Sequence, residues 1–180
     1  LESALRYLND DFFNPSALYR EGFEIHRELE NARNSLLSLI ARPETHELIF
    51  TSCGSESDNQ ALFSAGRRGN VVISEGEHAA VHNAAVELAR RGIEVRHARL
   101  NANGSVNTED LLRLVDKNTS LVSVIHVNNE TGAVNDIDKI AEQVKSVKAS
   151  AVFHSDGVQA FGKLDYRLGK NVDLYSVSAH

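Results

Sequence analysis

Apolar and polar residues alternate along the chain with two different periods. Between Leu18 and Ala41, the residues Ile25, Leu29, Leu36, Leu37 and Ile40 recur at helical spacing among polar ones. This predicts an amphipathic helix, ended by Pro43. Glu47–Thr51 predicts a short strand, and Ser55–Arg68 a helix with Ser55 and Asp58 spaced as a capping box. The next strands are predicted at Asn70–Ser74, Glu94–Ala98, Leu121–His126, Ala151–Ser155 and Val172–Val177. Helices are predicted between them at Ala79–Arg91, from a Thr108 cap to Val115, and from an Asp136 cap to Val147. Asn103-Gly104 predicts a turn.

Strands alternating with helices imply an α/β fold with a mostly parallel sheet sandwiched by helices. Residues 1–180 are expected to form one domain. Ligands of such sheets bind beyond the carboxyl ends of the strands, so the residues just after each strand carry the candidate chemistry.

Composition narrows the classes. Of 180 residues, 42% are hydrophobic and 24% charged, as in ordinary globular domains. No apolar run is long enough to span a bilayer, so no membrane partner is expected. The net charge of −6 argues against a nucleic-acid partner. The one cysteine, Cys53, excludes an internal disulfide and, without a signal-peptide pattern, points to a reducing, cytoplasmic setting.

The strand ends are polar. Thr51-Ser-Cys-Gly-Ser-Glu-Ser-Asp-Asn59 opens a helix with small residues, which suits a phosphate or a plain N-cap. His78 and His82 share a helix face but lack a third ligand, so no metal is expected. His126-Val-Asn-Asn-Glu-Thr-Gly132 offers amides that could donate to a ligand oxygen or simply form a turn. Asp156 falls at the end of a buried strand with no basic neighbour in sequence, where a cationic ring nitrogen would serve as its partner. Gln159 follows one turn later. Gly157-Val-Gln-Ala-Phe-Gly-Lys163 has phosphate-loop spacing, but Leu164 stands where that motif needs Ser or Thr.

Taken together and in order, Thr51–Asn59, Glu77-His78, His126–Glu130, Ser155–Gln159 and Ser178-Ala-His180 resemble the cysteine desulfurases of the class V aminotransferase family. Phe13-Asn-Pro-Ser16 extends the likeness upstream. The resemblance implies the large, cofactor-binding domain of a fold-type I pyridoxal-phosphate enzyme. Gly54, Ser55, Ser178 and His180 would hold the cofactor phosphate. His78 would stack on the pyridine ring and take part in proton transfer. Asp156 would pair with the ring nitrogen and Gln159 with the ring hydroxyl oxygen. Asn128 would lie near that oxygen and the substrate carboxylate. The implied substrate is L-cysteine, converted to L-alanine with sulfur passing to an enzyme persulfide. Implied partners are a second copy of the chain and a sulfur acceptor or scaffold protein, with iron–sulfur assembly suggested by Asn128-Asn129-Glu130.

The sequence departs from the family pattern in places. Cys53-Gly54-Ser55 stands for Gly-Ala-Thr, and Cys53 lies in the cofactor loop, so it is not assigned as the nucleophile. The family's cofactor-bearing lysine would follow His180. The small C-terminal domain with the nucleophilic cysteine and a substrate-binding arginine would also lie outside this sequence, as would an N-terminal strand region. With no Met in the chain, these absences predict a segment of a longer protein. Another class V enzyme, such as a selenocysteine lyase or aminotransferase, or a non-catalytic scaffold, are the alternatives.

Overall fold

The computed structural model describes residues 2–179. Backbone contacts divide the chain into two units, one up to Phe50 and one from Thr51 onward. The first holds α1 (Glu2–Asn9) and α2 (Arg20–Ile40), the second of which buries Gly22 and Leu37. The strand predicted at Glu47–Thr51 does not form. Leu48 instead gives its carbonyl to the Arg33 guanidinium, which also lies 4.9 Å over the Phe50 ring. The segment has no ladder partner among the described residues.

The second unit runs α3 (Gly54–Ala65), a 3₁₀ turn (Gly66–Arg68), β1 (Asn70–Ser74), α4 (Ala79–Arg90) and β2 (Val95–Ala98). It continues through α5 (Thr108–Leu114), β3 (Thr119–Ser123), α6 (Ile137–Val147), β4 (Val152–Asp156) and β5 (Leu174–Ser176). All strand pairs are parallel, in the order β2-β1-β3-β4-β5. Side chains alternate between faces as the pleat requires. Val71, Ile73 and Leu121 pack with Leu62, Val81 and Leu88 of α3 and α4. Val72, Val122 and Phe153 pack with Leu111, Ile140 and Val144 of α5 and α6. Both faces are therefore covered, as a parallel sheet demands.

Three differences from the sequence expectation lie at the starts of α3 and α5 and at the end of β3. α3 begins at Gly54 with Cys53 as N-cap, so Ser55 and Asp58 form no capping box. Glu56 takes the Ser52 N–H at 2.6 Å instead, which frees Asp58 to turn inward. Asn107, not Thr108, caps α5 by accepting the Asp110 N–H at 3.0 Å. The third difference lies in β3, which ends at Ser123 although the apolar run reaches Ile125. The Ile125 N–H is taken by the Glu77 carboxyl at 2.7 Å, in place of a further bond to β1. Meanwhile Val124 and His126 still donate to the carbonyls of His154 and Asp156. The sheet thus opens between β1 and β3. The chain direction around the sheet reverses there, which is where open α/β sheets place their ligands.

Candidate active site

A pocket of about 260 Å³ lies at that rim, lined by Cys53, Gly54, Ser55, Asp58, His78, Ile125, Asn129, Asp156, Val158, Gln159 and Ser178. Its size falls just under the ~300–1,000 Å³ usual for small-molecule sites. One end is the N-terminus of α3. An added Cβ on Gly54 would come within 3.1 Å of Val158 Cγ2 and 3.7 Å of Ser178 Cβ. The missing side chain therefore keeps the helix N–H groups accessible beside Ser178, a cradle suited to an anion. The exposed Cys53 thiol is held below its ordinary pKa, chiefly by the Glu56 N–H directed at it.

The other end is acidic. Asp156 closes β4, is 4% exposed, and accepts the Val158 N–H at 2.9 Å. Burial pushes its pKa up, opposed by that N–H and by His78. Among the described residues, neither Lys nor Arg lines the pocket. His78 caps α4, its Nδ1 accepting the Ala80 N–H at 3.2 Å. A neutral ring so held carries its proton on Nε2 and is a donor. Atoms of Asp58, His78 and Asp156 lie within 4.8 Å of one another, as metal ligands can. The tautomer fixed by Ala80 leaves His78 without a free lone pair for that role.

Below the pocket runs a buried polar chain. The Glu77 carboxyl meets Ser74 and Ser123 as well as Ile125. Ser123 Oγ lies 2.9 Å from His154 Nδ1, and His154 Nε2 lies 3.0 Å from Ser176 Oγ. Burial lowers the His154 pKa to about 4, so the ring is neutral near pH 7. Burial raises Glu77 to about 8, against the pull of Ser74 and Ile125. Ser123 donates to the Glu77 carboxyl, and the Ser176 hydroxyl bonds Asp58, whose pKa it lowers.

Of the residues singled out from the sequence, Gly54, Ser55, His78, Asp156, Gln159 and Ser178 converge on this pocket. Gln159 also accepts from Lys163 at 2.7 Å. Asn128 is not brought into the lining. Its amide donates to the Gly76 carbonyl at 2.9 Å and accepts from Glu130, Thr131 N–H and Thr131 Oγ1. Its neighbour Asn129 lines the pocket instead. His180 lies outside the described residues. His82 faces His97, ring centroids 5.9 Å apart, and Gly157–Lys163 forms turns with no helix behind them. Sequence reasoning missed Asp58, Asn129 and the inward turn of the half-buried Glu77 carboxyl.

Fold and site together define a parallel α/β protein with a two-ended polar pocket on its sheet rim. Residues 1–180 match the model of the aminotransferase class-V family, and the chain belongs to that family. It is 38% identical over 188 residues to cysteine desulfurase IscS of Photorhabdus laumondii, covering 99% of this chain and 46% of that one. A solved NifS-like protein superimposes with a TM-score of 0.89 at 30% identity, over 99% of this chain and 50% of that one. A structure described as SspA in complex with cysteine gives 0.88 at 31% identity, over 99% and 52%. The chain therefore spans about half the length of the relatives it matches. The solved neighbour shares the parallel α/β architecture, and the curated relative is a cysteine desulfurase.

Proposed function

We propose that this chain is the cofactor-binding part of a pyridoxal-phosphate-dependent cysteine desulfurase. One observation carries the reading. A single pocket sets a helix N-terminus suited to an anion opposite a buried carboxylate with no Lys or Arg among the described lining residues. A ligand with a phosphate at one end and a cationic ring nitrogen at the other satisfies both.

The residues fit that ligand. The α3 N–H groups, Ser55 and Ser178 would take the phosphate in the space that Gly54 leaves open. Asp156 would hold the ring nitrogen in its protonated form. The His78 ring, whose Nδ1 accepts the Ala80 N–H, would stack on the ligand or donate to it through Nε2–H. Gln159 would bond the ring oxygen. Asn128 acts in this reading through the turn it holds, which sets Asn129 on the lining. When bound, the cofactor supplies an electron sink for the pair left at a substrate Cα that loses its proton. The overall conversion takes L-cysteine and an enzyme thiol to L-alanine and an enzyme persulfide. Residues beyond this chain would contribute that thiol and the cofactor-bearing lysine. A homodimer, a reducing cytoplasmic setting and delivery of sulfur toward iron–sulfur assembly belong to the same proposal.

The test uses the full-length protein. It should take up pyridoxal phosphate with a visible absorption band and, with an added dithiol reductant to cleave the persulfide, release alanine and sulfide from L-cysteine. Pyruvate from transamination would favour another class V enzyme, and no visible band a scaffold. D156A should lose most cofactor binding, weakening it by at least about tenfold, as expected when a charged hydrogen bond is removed. Undiminished binding by D156A would overturn the role of that residue.

A further inference from the structure

The pocket contains a second carboxyl that the proposed function leaves without a task. Asp58 is 1% exposed, lines the pocket, and its Oδ1 has no hydrogen-bond partner. Its nearest ring nitrogen, His154 Nε2, is 3.6 Å away and already directed at Ser176. An oxygen of Asp58, one of Asp156 and a nitrogen of His78 lie within 4.8 Å of one another. Two carboxylates at that spacing, buried without a fixed cation, cannot both ionise near neutral pH.

We propose that Asp58 is a positioning residue for Asp156: it carries the one proton of a buried carboxyl pair, so that Asp156 alone presents negative charge to the cofactor. The inference rests on the cofactor reading above. The surroundings decide which member holds the proton. Asp156 receives the Val158 N–H and faces His78, both of which favour its charged form. Asp58 receives no backbone N–H. The groups around it are Asp156 and neutral His154 on β4 and, on β5, Ser176, whose hydroxyl bonds it and partly offsets the rise in its pKa. Glu77 and His78, before α4, complete the set. Burial first, and the charge of Asp156 second, raise the Asp58 pKa to about 7. The site thus holds one negative charge rather than two. That single charge matches one cationic ring nitrogen without leaving a surplus in the interior.

Infrared difference spectroscopy on the cofactor-stripped, full-length protein tests this directly. At pH 6 the wild type should show a protonated-carboxyl band that is absent from D58N and that fades as pH rises through about 7. Carbon-13 labelling of aspartate should shift the band, separating it from Glu77 even if D58N folds poorly. In D156N the band should fade at lower pH, because the repelling charge is gone. D58N, which copies a neutral carboxyl in shape, should bind pyridoxal phosphate at pH 6 within about threefold of wild type, less than the loss of one hydrogen bond. A labelled band that is missing at pH 6, or an unmoved midpoint in D156N, would overturn the pair. Failure of the wild type to take up the cofactor would instead overturn the cofactor reading, since the band is measured without ligand.

Discussion

Glu77 shows how one half-buried side chain can shape both the sheet and its pH response. Its carboxyl replaces a strand partner at Ile125, yet burial lifts its pKa from 4.5 to about 8. The folded state therefore holds this proton more tightly than the unfolded one. The stabilisation it brings is complete below about pH 4.5 and is lost as pH rises through about 8. Asp58 acts in the same sense between 3.8 and about 7. The urea midpoint of the full-length protein should accordingly fall over this range, and E77Q should flatten the upper part of the fall. A wild-type midpoint that climbs steadily over the same range would contradict the assignment. Asp156 could be read from the sequence because a carboxylate ending an apolar strand is conspicuous. Asp58 could not, because an acid three residues into a helix fits a cap equally well. Only the packing of α3 against β4 and β5 turns it inward.

At the scale of elements, helix starts and strand ends determine what the pocket can hold. The alternation of periods located every helix and strand that packs in the second unit, because each has one buried stripe or face. It failed at Glu47–Thr51, where an extended apolar stretch without a neighbouring strand gives its carbonyl to Arg33. It also could not separate Asn128 from Asn129, since a turn's geometry decides which amide faces the ligand. Gly157 shows how tight the β4 end is. A Cβ there would fall 1.9 Å from the Tyr175 ring, whose hydroxyl bonds His126 Nδ1 at 2.8 Å. G157A must displace that ring, and overpacking of this kind costs about 1–3 kcal/mol. Chemical denaturation should show that loss, together with weaker cofactor uptake, because Val158 and Asp156 adjoin the displaced backbone. At the other end of the pocket, G54V should block the anion cradle. Its binding of inorganic phosphate and of the cofactor should drop while the unfolding midpoint moves little, since among the described residues only Val158 and Ser178 come within 4 Å of the added Cβ.

Across the whole second unit, the sheet separates two hydrophobic cores that share no buried residue. Ile73 belongs to the core under α3 and α4, and Ile140 to the core under α5 and α6. Each Ile→Val change removes one methyl group and should cost about 0.5–1.5 kcal/mol. Because the two sites have no common neighbours, the double variant should lose the sum of the single losses to within about 0.5 kcal/mol. Strong coupling between them would mean that the sheet transmits strain from face to face. Additivity bears on the site as well. Asp58, His154, Ser123 and Ser176 belong to neither apolar cluster, and their hydrogen bonds run strand to strand rather than through a core. Neither Ile→Val variant should then shift the pH at which Asp58 loses its proton, even as both lower stability. A shifted midpoint in either would show that the charge balance at the rim depends on core packing, not on the strands and helix ends that carry the polar groups.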